Sequence, residues 1–335
     1  MRRFLLSLVA WTGSLVLLAW VLRSVSLHEV LQLLRALRPG QLVPLILANL
    51  AIVLLLPGRW WLLLRAQGYR LPYLVLARYR LAAFGLSYVT PGPQFGGEPL
   101  QVLLVERNHG VPRPAALAAV SLDRVLELLV NFTFLGLGVL LLVTQGLLSG
   151  PAGNRLVLAS LFLLALPLLY LALLWRGRRP LSSLLASVRW PFGRPPARWR
   201  RSALHLAATV SAAEAEAATL CRRVPGVLLP AVLASLLAWL ALIGEFWLML
   251  AVLGVTLNPV PLVVVLTATR LGLLMPVPGG LGSLEAALLL GLESQGLPLA
   301  AGLGAGILIR SRDTLLAAAG LWSSGLLFRR RRTVT

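Results

Sequence analysis

Six stretches of this chain, Phe4–Leu22, Leu42–Leu64, Pro114–Thr144, Leu156–Trp175, Val227–Leu253 and Leu299–Leu327, run apolar for about the 20 residues that a helix needs to cross a bilayer. Within lipid, each segment must satisfy its own backbone donors and acceptors, so runs of this kind fold as helices. Charged residues make up only 13% of the sequence and hydrophobic residues 58%. A soluble domain carries roughly 25% charged residues, so the expectation is an all-α polytopic membrane protein. Its longest polar stretch, 176–225, is too short to fold as a second domain, which leaves one integral membrane domain over residues 1–335. Phe4–Leu22 is longer than the apolar core of a signal peptide and reads as a retained first span.

Two further apolar segments do not run on into polar loops. Leu74–Thr90 meets Pro91-Gly92-Pro93-Gln94-Phe95-Gly96-Gly97-Glu98-Pro99, and Val260–Met275 meets Pro276-Val277-Pro278-Gly279-Gly280-Leu281-Gly282-Ser283-Leu284-Glu285. Proline removes a backbone donor and glycine permits turns, so both sites break a helix. Pro91, Pro93, Pro276 and Pro278 are the elbow residues, followed by the short segments Leu100–Arg107 and Leu284–Leu292. A broken helix at membrane depth is tolerated where its backbone is buried in protein or lines a cavity. Gly96, Gly97, Gly279 and Gly280 are therefore candidates to line an internal site.

The net charge of +20 comes from arginine alone, because the sequence has no lysine, which excludes Schiff-base chemistry. The arginines flank apolar spans, as the positive-inside rule and anionic cytoplasmic lipid require, so nucleic acid is not the expected partner. Ten arginines place the loop 176–225 in the cytoplasm, with both termini, while the uncharged Gln145–Asn154 fits the outside. These assignments agree only if each elbow makes a re-entrant hairpin. The result is about six full spans plus two helical hairpins, one entering from each face. Ser26–Arg38, with leucines at helical spacing, reads as an amphipathic helix on the membrane surface. Trp60, Trp61, Trp175, Trp190, Trp247 and Trp322 read as interfacial anchors.

The halves also match each other. Gly58-Arg59-Trp60-Trp61 aligns with Gly244-Glu245-Phe246-Trp247 at an offset of 186 (244 − 58), shared by Gly68 and Gly254 and by Leu71 and Leu257. Glu98 and Glu285 stand 187 apart, Arg124 and Arg310 again 186. Repeat A covers about 41–144 and repeat B about 227–330, in opposite orientation. Inverted repeats with discontinuous helices are the recurrent plan of secondary transporters, with substrate bound near the midplane.

Arg124 and Arg310 lie ten or so residues inside their spans, where an unpaired charge costs about 2.5–3.5 kcal/mol. Arg124 with Glu127, and Arg310 with Asp313, can pair along one helix face, and Asp123 and Arg312 add charge at the same levels. Glu98 and Glu285 fall in the first turn of a half-helix, where the dipole favours a carboxylate. Two uses stay open. Glu98 can lock Arg124 and Glu285 can lock Arg310, or the arginines can bind a lipid phosphate beside the half-helix starts. Arg78 and Arg80 are expected to snorkel to headgroups. Glu245 and Arg270 have no partner assignable from the sequence.

Cys221 is the only cysteine, and His28, His109 and His205 are scattered without metal-ligand spacing. No disulfide, metal site, cofactor or catalytic constellation is expected, and the chain does not read as an enzyme. Nothing in it sets an oligomeric state.

The run Pro276-x-Pro278-Gly279-Gly280-Leu281-Gly282-x-x-Glu285 resembles the signature of the lysylphosphatidylglycerol synthase transmembrane, or flippase-like, family. So do Gly96-Gly97-Glu98-Pro99 with Asp123-Arg124 downstream, and Arg310-x-Arg312-Asp313. The resemblance covers roughly residues 4–327. It implies a bacterial inner-membrane protein that moves lipids, a phospholipid or a polyprenyl or glycolipid, with the membrane lipid itself as substrate. Bifunctional members carry a cytosolic aminoacylating domain after the last span, where this sequence has only Phe328–Thr335, so that activity is not expected. The other readings are a polytopic glycosyl- or acyl-transferase acting on a lipid-linked donor, and a non-transporting scaffold of a lipid pathway.

Overall fold

The computed structural model of the chain describes residues 27–90, 96–187, 197–275 and 281–329. The first apolar span, Pro91, Pro93, Pro276, Pro278, Gly279, Gly280 and the arginines at 330–332 lie outside the described residues. Every regular element among those described is a helix. In chain order they are α1 (Leu27–Arg35), α2 (Pro39–Leu55), α3 (Gly58–Ala66), α4 (Tyr73–Val89), α5 (Glu98–His109), α6 (Arg113–Thr144) and α7 (Gly150–Trp175). There follow α8 (Pro180–Ser187), α9 (Ala197–Arg223), a 3₁₀ turn (Pro225–Val227), α10 (Leu228–Val252), α11 (Pro259–Leu273), α12 (Ser283–Glu293) and α13 (Leu299–Arg329).

Four helical stretches, Pro39–Ala66, Arg113–Thr144, Gly150–Trp175 and Pro225–Val252, are long and apolar enough to cross a membrane. The first includes the turn at Leu56–Pro57 that separates α2 from α3. Their outer faces stay apolar, with Ile46, Leu47, Leu158, Phe162 and Leu240 exposed. That is the pattern of helices whose solvent is lipid. α13 is equally long but carries Arg310, Arg312 and Asp313 at its middle.

The helices build two cores. One joins α3, α4, α5, the first half of α6 and the end of α9 around Trp60, Leu64, Tyr79, Val105 and Leu122. The other joins α10, α11, α12 and α13 around Phe246, Leu250, Val265 and Leu288. The cores interlock, because α4 packs most extensively on α13 and α11 reaches α6. At the α4–α13 seam the backbones touch: a Cβ on Gly320 would stand 2.1 Å from the Leu81 carbonyl oxygen. Small residues at such crossings let helices in lipid approach closely.

A turn recurs at the 186-residue offset. Trp61 Nε1 donates to the Leu71 carbonyl at 3.1 Å, and Trp247 Nε1 donates to the Leu257 carbonyl at 3.1 Å. The backbone amides of Tyr69 and Val255 close the same loops onto Leu64 and Leu250, at 3.0 and 2.9 Å.

Three expectations change. The helix at 27–35 does not present its apolar face to a membrane surface, because Val30 is 1% exposed against Ala286, Leu289, Ala300 and Leu303. Trp60 is no interfacial anchor but a fully buried core residue, while its neighbour Trp61 makes the turn just described. The stretch 176–225 is largely helical, not a polar loop. Ala217, Ala218, Leu220 and Cys221 of α9 enter the first core, and Glu214 caps α8 through the amides of Leu181 and Ser182 at 2.8 and 2.9 Å.

Cys221 is 1% exposed, and burial pushes its thiol pKa up. The thiolate is the reactive form, so less of it exists at any given pH than in the unfolded chain. Folded protein at pH 8 is expected to resist maleimide until denatured, with mass spectrometry as the check. Rapid labelling of the native protein would mean that α9 detaches from the core.

Candidate functional site

Between the two cores lies a cavity of about 330 Å³. Its apolar lining includes Ile52 and Val53 of α2, Leu56 of the turn after it, Phe84 of α4 and Leu316 of α13. Ten charged side chains from both halves are set among these and further apolar ones.

Each elbow glutamate acts twice. Glu98 opens α5, and its Oε2 accepts from the Gly96 amide at 3.0 Å; Glu285 sits in the first turn of α12, and its Oε2 accepts from the Gly282 amide at 2.9 Å. A carboxylate there satisfies an orphan donor and complements the helix dipole. The second oxygen faces the long helix that follows. Glu98 Oε1 lies 3.7 Å from Arg124 Nε, and Glu285 Oε1 lies 3.0 Å from Arg310 Nε. Gly97 lets the first elbow seat against α4, because a Cβ would stand 2.1 Å from the Ala83 carbonyl oxygen, while its amide donates to Ser87 Oγ at 2.8 Å.

Beside the first elbow, Asp123 and Glu127 gather three arginines. Arg59 Nε donates to Asp123 Oδ1 at 2.6 Å, Nη1 to Ser235 Oγ at 2.8 Å and Nη2 to Glu127 Oε2 at 3.2 Å. Arg80 forks between Asp123 and Glu127, and Arg124 Nη1 reaches Glu127 Oε1 at 3.0 Å. Arg80 therefore does not snorkel to headgroups: α4 carries it into the protein, where two carboxylates hold it. On the other side, Arg312 Nη1 donates to Glu245 at 2.6 Å, and Asn49 Nδ2 donates to the same carboxylate at 3.0 Å. Asp313 is held by Arg312 at 2.9 Å. Arg59 and Glu245 occupy matching positions, 186 apart, with opposite charge, and their partners are reversed to suit.

Of the residues singled out from the sequence, Gly97, Glu98, Asp123, Glu127, Arg124, Arg310, Arg312 and Asp313 line the cavity. Glu285 lies behind its wall at 6% exposure, and Gly96 packs beside Thr90. Arg59 was missed as a site residue, although a lone arginine within an apolar run was its signal. Gln101 and Arg270 also line the cavity. The Gln101 Oε1 is buried with no partner, and Arg270 lies over the Trp239 ring, with Cζ 4.6 Å from the ring centre. Among the described residues no group of three or more His, Cys, Asp or Glu side chains is placed to hold a metal ion.

Charges crowded into a low-dielectric cavity, most of them paired, form a polar interior that can admit an ionic group, while apolar chains lie on the apolar lining. No curated protein matches the chain significantly. The family model described as the lysylphosphatidylglycerol synthase TM region does match it, over residues 4–320. The chain thus belongs to the lysylphosphatidylglycerol synthase TM region family, and is a multi-pass membrane protein of lipid metabolism or transport.

Proposed function

We propose that this protein is an inner-membrane lipid flippase or lipid-transport protein that moves a phosphate-containing lipid between leaflets. The observation that carries the reading is the mixed lining of the cavity, in which charged and apolar side chains from both halves meet. A phospholipid joins the same two kinds of surface. In this reading α4–α5 and α11–α12 are re-entrant hairpins of inverted repeats A and B, with six full spans and cytoplasmic termini. The hydrogen bonds and the Glu–Arg contacts repeated at offsets of 186 and 187 support that arrangement. Arg124, Arg310 and Arg312 frame the headgroup near the midplane, with Glu98 and Glu285 fixing the first two.

Transport is favoured over group transfer because every acid lining the cavity is held by an arginine. Carboxylates tied in this way position charge and are poorly placed to act as general bases. The test is translocation of labelled anionic phospholipid in vesicles containing purified protein. Arg124→Ala and Arg310→Ala are each expected to slow it about tenfold, the effect of losing one charge-assisted contact. Wild-type rates in both variants would remove these arginines from the site. Release of a sugar or acyl product by purified protein would favour the transferase reading instead.

A further inference from the structure

We propose that Arg270, within the frame made by Arg124, Arg310 and Arg312, is the cation that takes the phosphate of the substrate in a bidentate grip. The proposal rests on the lipid reading above and assigns its anion site. The other arginines lining the cavity are committed. Arg80 is held by Asp123 and Glu127, Arg124 by Glu98 and Glu127, Arg310 by Glu285, and Arg312 by Glu245 and Asp313. Arg270 lines the same cavity, and among the described residues no carboxylate lies within 4.0 Å of it. Its contact is aromatic: the guanidinium lies over Trp239, which is 9% exposed and itself stacked on Phe134 at 4.8 Å between ring centres.

That contact decides what Arg270 can still do. A cation–π contact holds the guanidinium against the ring without using up its N–H groups on an oxyanion. Contact with a fixed indole therefore positions Arg270 and leaves N–H donors for a bidentate phosphate. Glu127 and Glu245 attract Arg270 only from beyond ion-pair distance, and Arg312 repels it. A cation so placed inside a membrane protein is costly, and a bound anion relieves that cost. Arg270 belongs to the last turn of α11. A phosphate there can leave its acyl chains against apolar lining residues such as Ile52, Val53 and Phe84.

The ligand chemistry is a phosphate oxyanion, from a lipid headgroup or from free phosphate, and the experiment separates the two. Full-length protein in detergent is titrated calorimetrically with dihexanoylphosphatidylglycerol, with inorganic phosphate and with dihexanoylglycerol, which lacks the phosphate. Wild type is expected to bind the phospholipid, with affinity at least about tenfold lower in Arg270→Ala and partly restored in Arg270→Lys. Dihexanoylglycerol should bind both forms alike. Arg270→Gln replaces the alanine variant if that one is not monodisperse. An Arg270-dependent affinity for inorganic phosphate that matches or exceeds the lipid's names free phosphate as the ligand and keeps Arg270 as its cation. Undiminished phospholipid binding in Arg270→Ala overturns the assignment and leaves lipid transport standing. Wild type that binds neither lipid overturns the lipid reading itself.

Discussion

Asp123→Asn is expected to cost about 3–5 kcal/mol of stability, the largest loss from a single substitution in this protein. Asp123 and Arg59 have side chains 4% and 6% exposed, and Asp123 is shared with Arg80. Asparagine keeps the volume but withdraws the negative charge, so Arg59 and Arg80 must rely on Glu127, which is 30% exposed and already contacted by Arg124. Breaking a buried pair from one side strands the other charge, and that accounts for the size of the effect. The measurement is unfolding in mild detergent, followed by helicity and by the fraction that stays monodisperse. A loss below about 1 kcal/mol would show that Glu127 alone neutralises both arginines.

The second large effect lies on the opposite side of the cavity. Glu245→Leu is expected to cost about 3 kcal/mol, because Glu245 is 2% exposed and receives Arg312 at 2.6 Å and Asn49 at 3.0 Å. Adding Arg312→Leu removes the stranded cation and should recover part of the loss. A double-mutant cycle is expected to give a coupling of about 1.5–3 kcal/mol. It falls below the upper end because Arg312 keeps Asp313 at 2.9 Å in the single variant. Simple additivity of the two substitutions would contradict the direct pairing.

Much of this site could be read from the sequence because its logic is local and doubled. Glu98 and Glu285 each follow an elbow and precede an arginine by one short helix, and the structure brings both pairs together. Long-range partners were not legible. Arg59 and Asp123 are 64 residues apart, and nothing in their local sequence states that α3 crosses α6 at that level. Arg80 misled because its depth was judged from its place near a helix start, whereas α4 runs inward along α13. Trp60 and Trp61 show another limit of pattern reading. Consecutive residues point about 100° apart on a helix, so one enters the core and the other reaches the Leu71 carbonyl. In α9 the arginines at both ends drew the reading as a polar loop, but the alanines at 213, 217 and 218 provide both helix propensity and a flat buried face.

The two peripheral helices bear on how such a molecule can move. α1 precedes the first hairpin in the chain yet packs against α12 and α13, while α9 precedes the second hairpin yet packs against α6. Ala217, Leu220 and Cys221 stand 187 residues after Val30, Leu33 and Leu34 (217 − 30), and Pro39 and Pro225, 186 apart, stiffen the joints that follow. Each half thus wears a strap rooted in the other. Swinging the halves apart like a clamshell would peel off both straps at once. Sliding one half along the other would keep them seated, so shear along the α4–α13 and α6–α11 seams is the motion this architecture allows most cheaply.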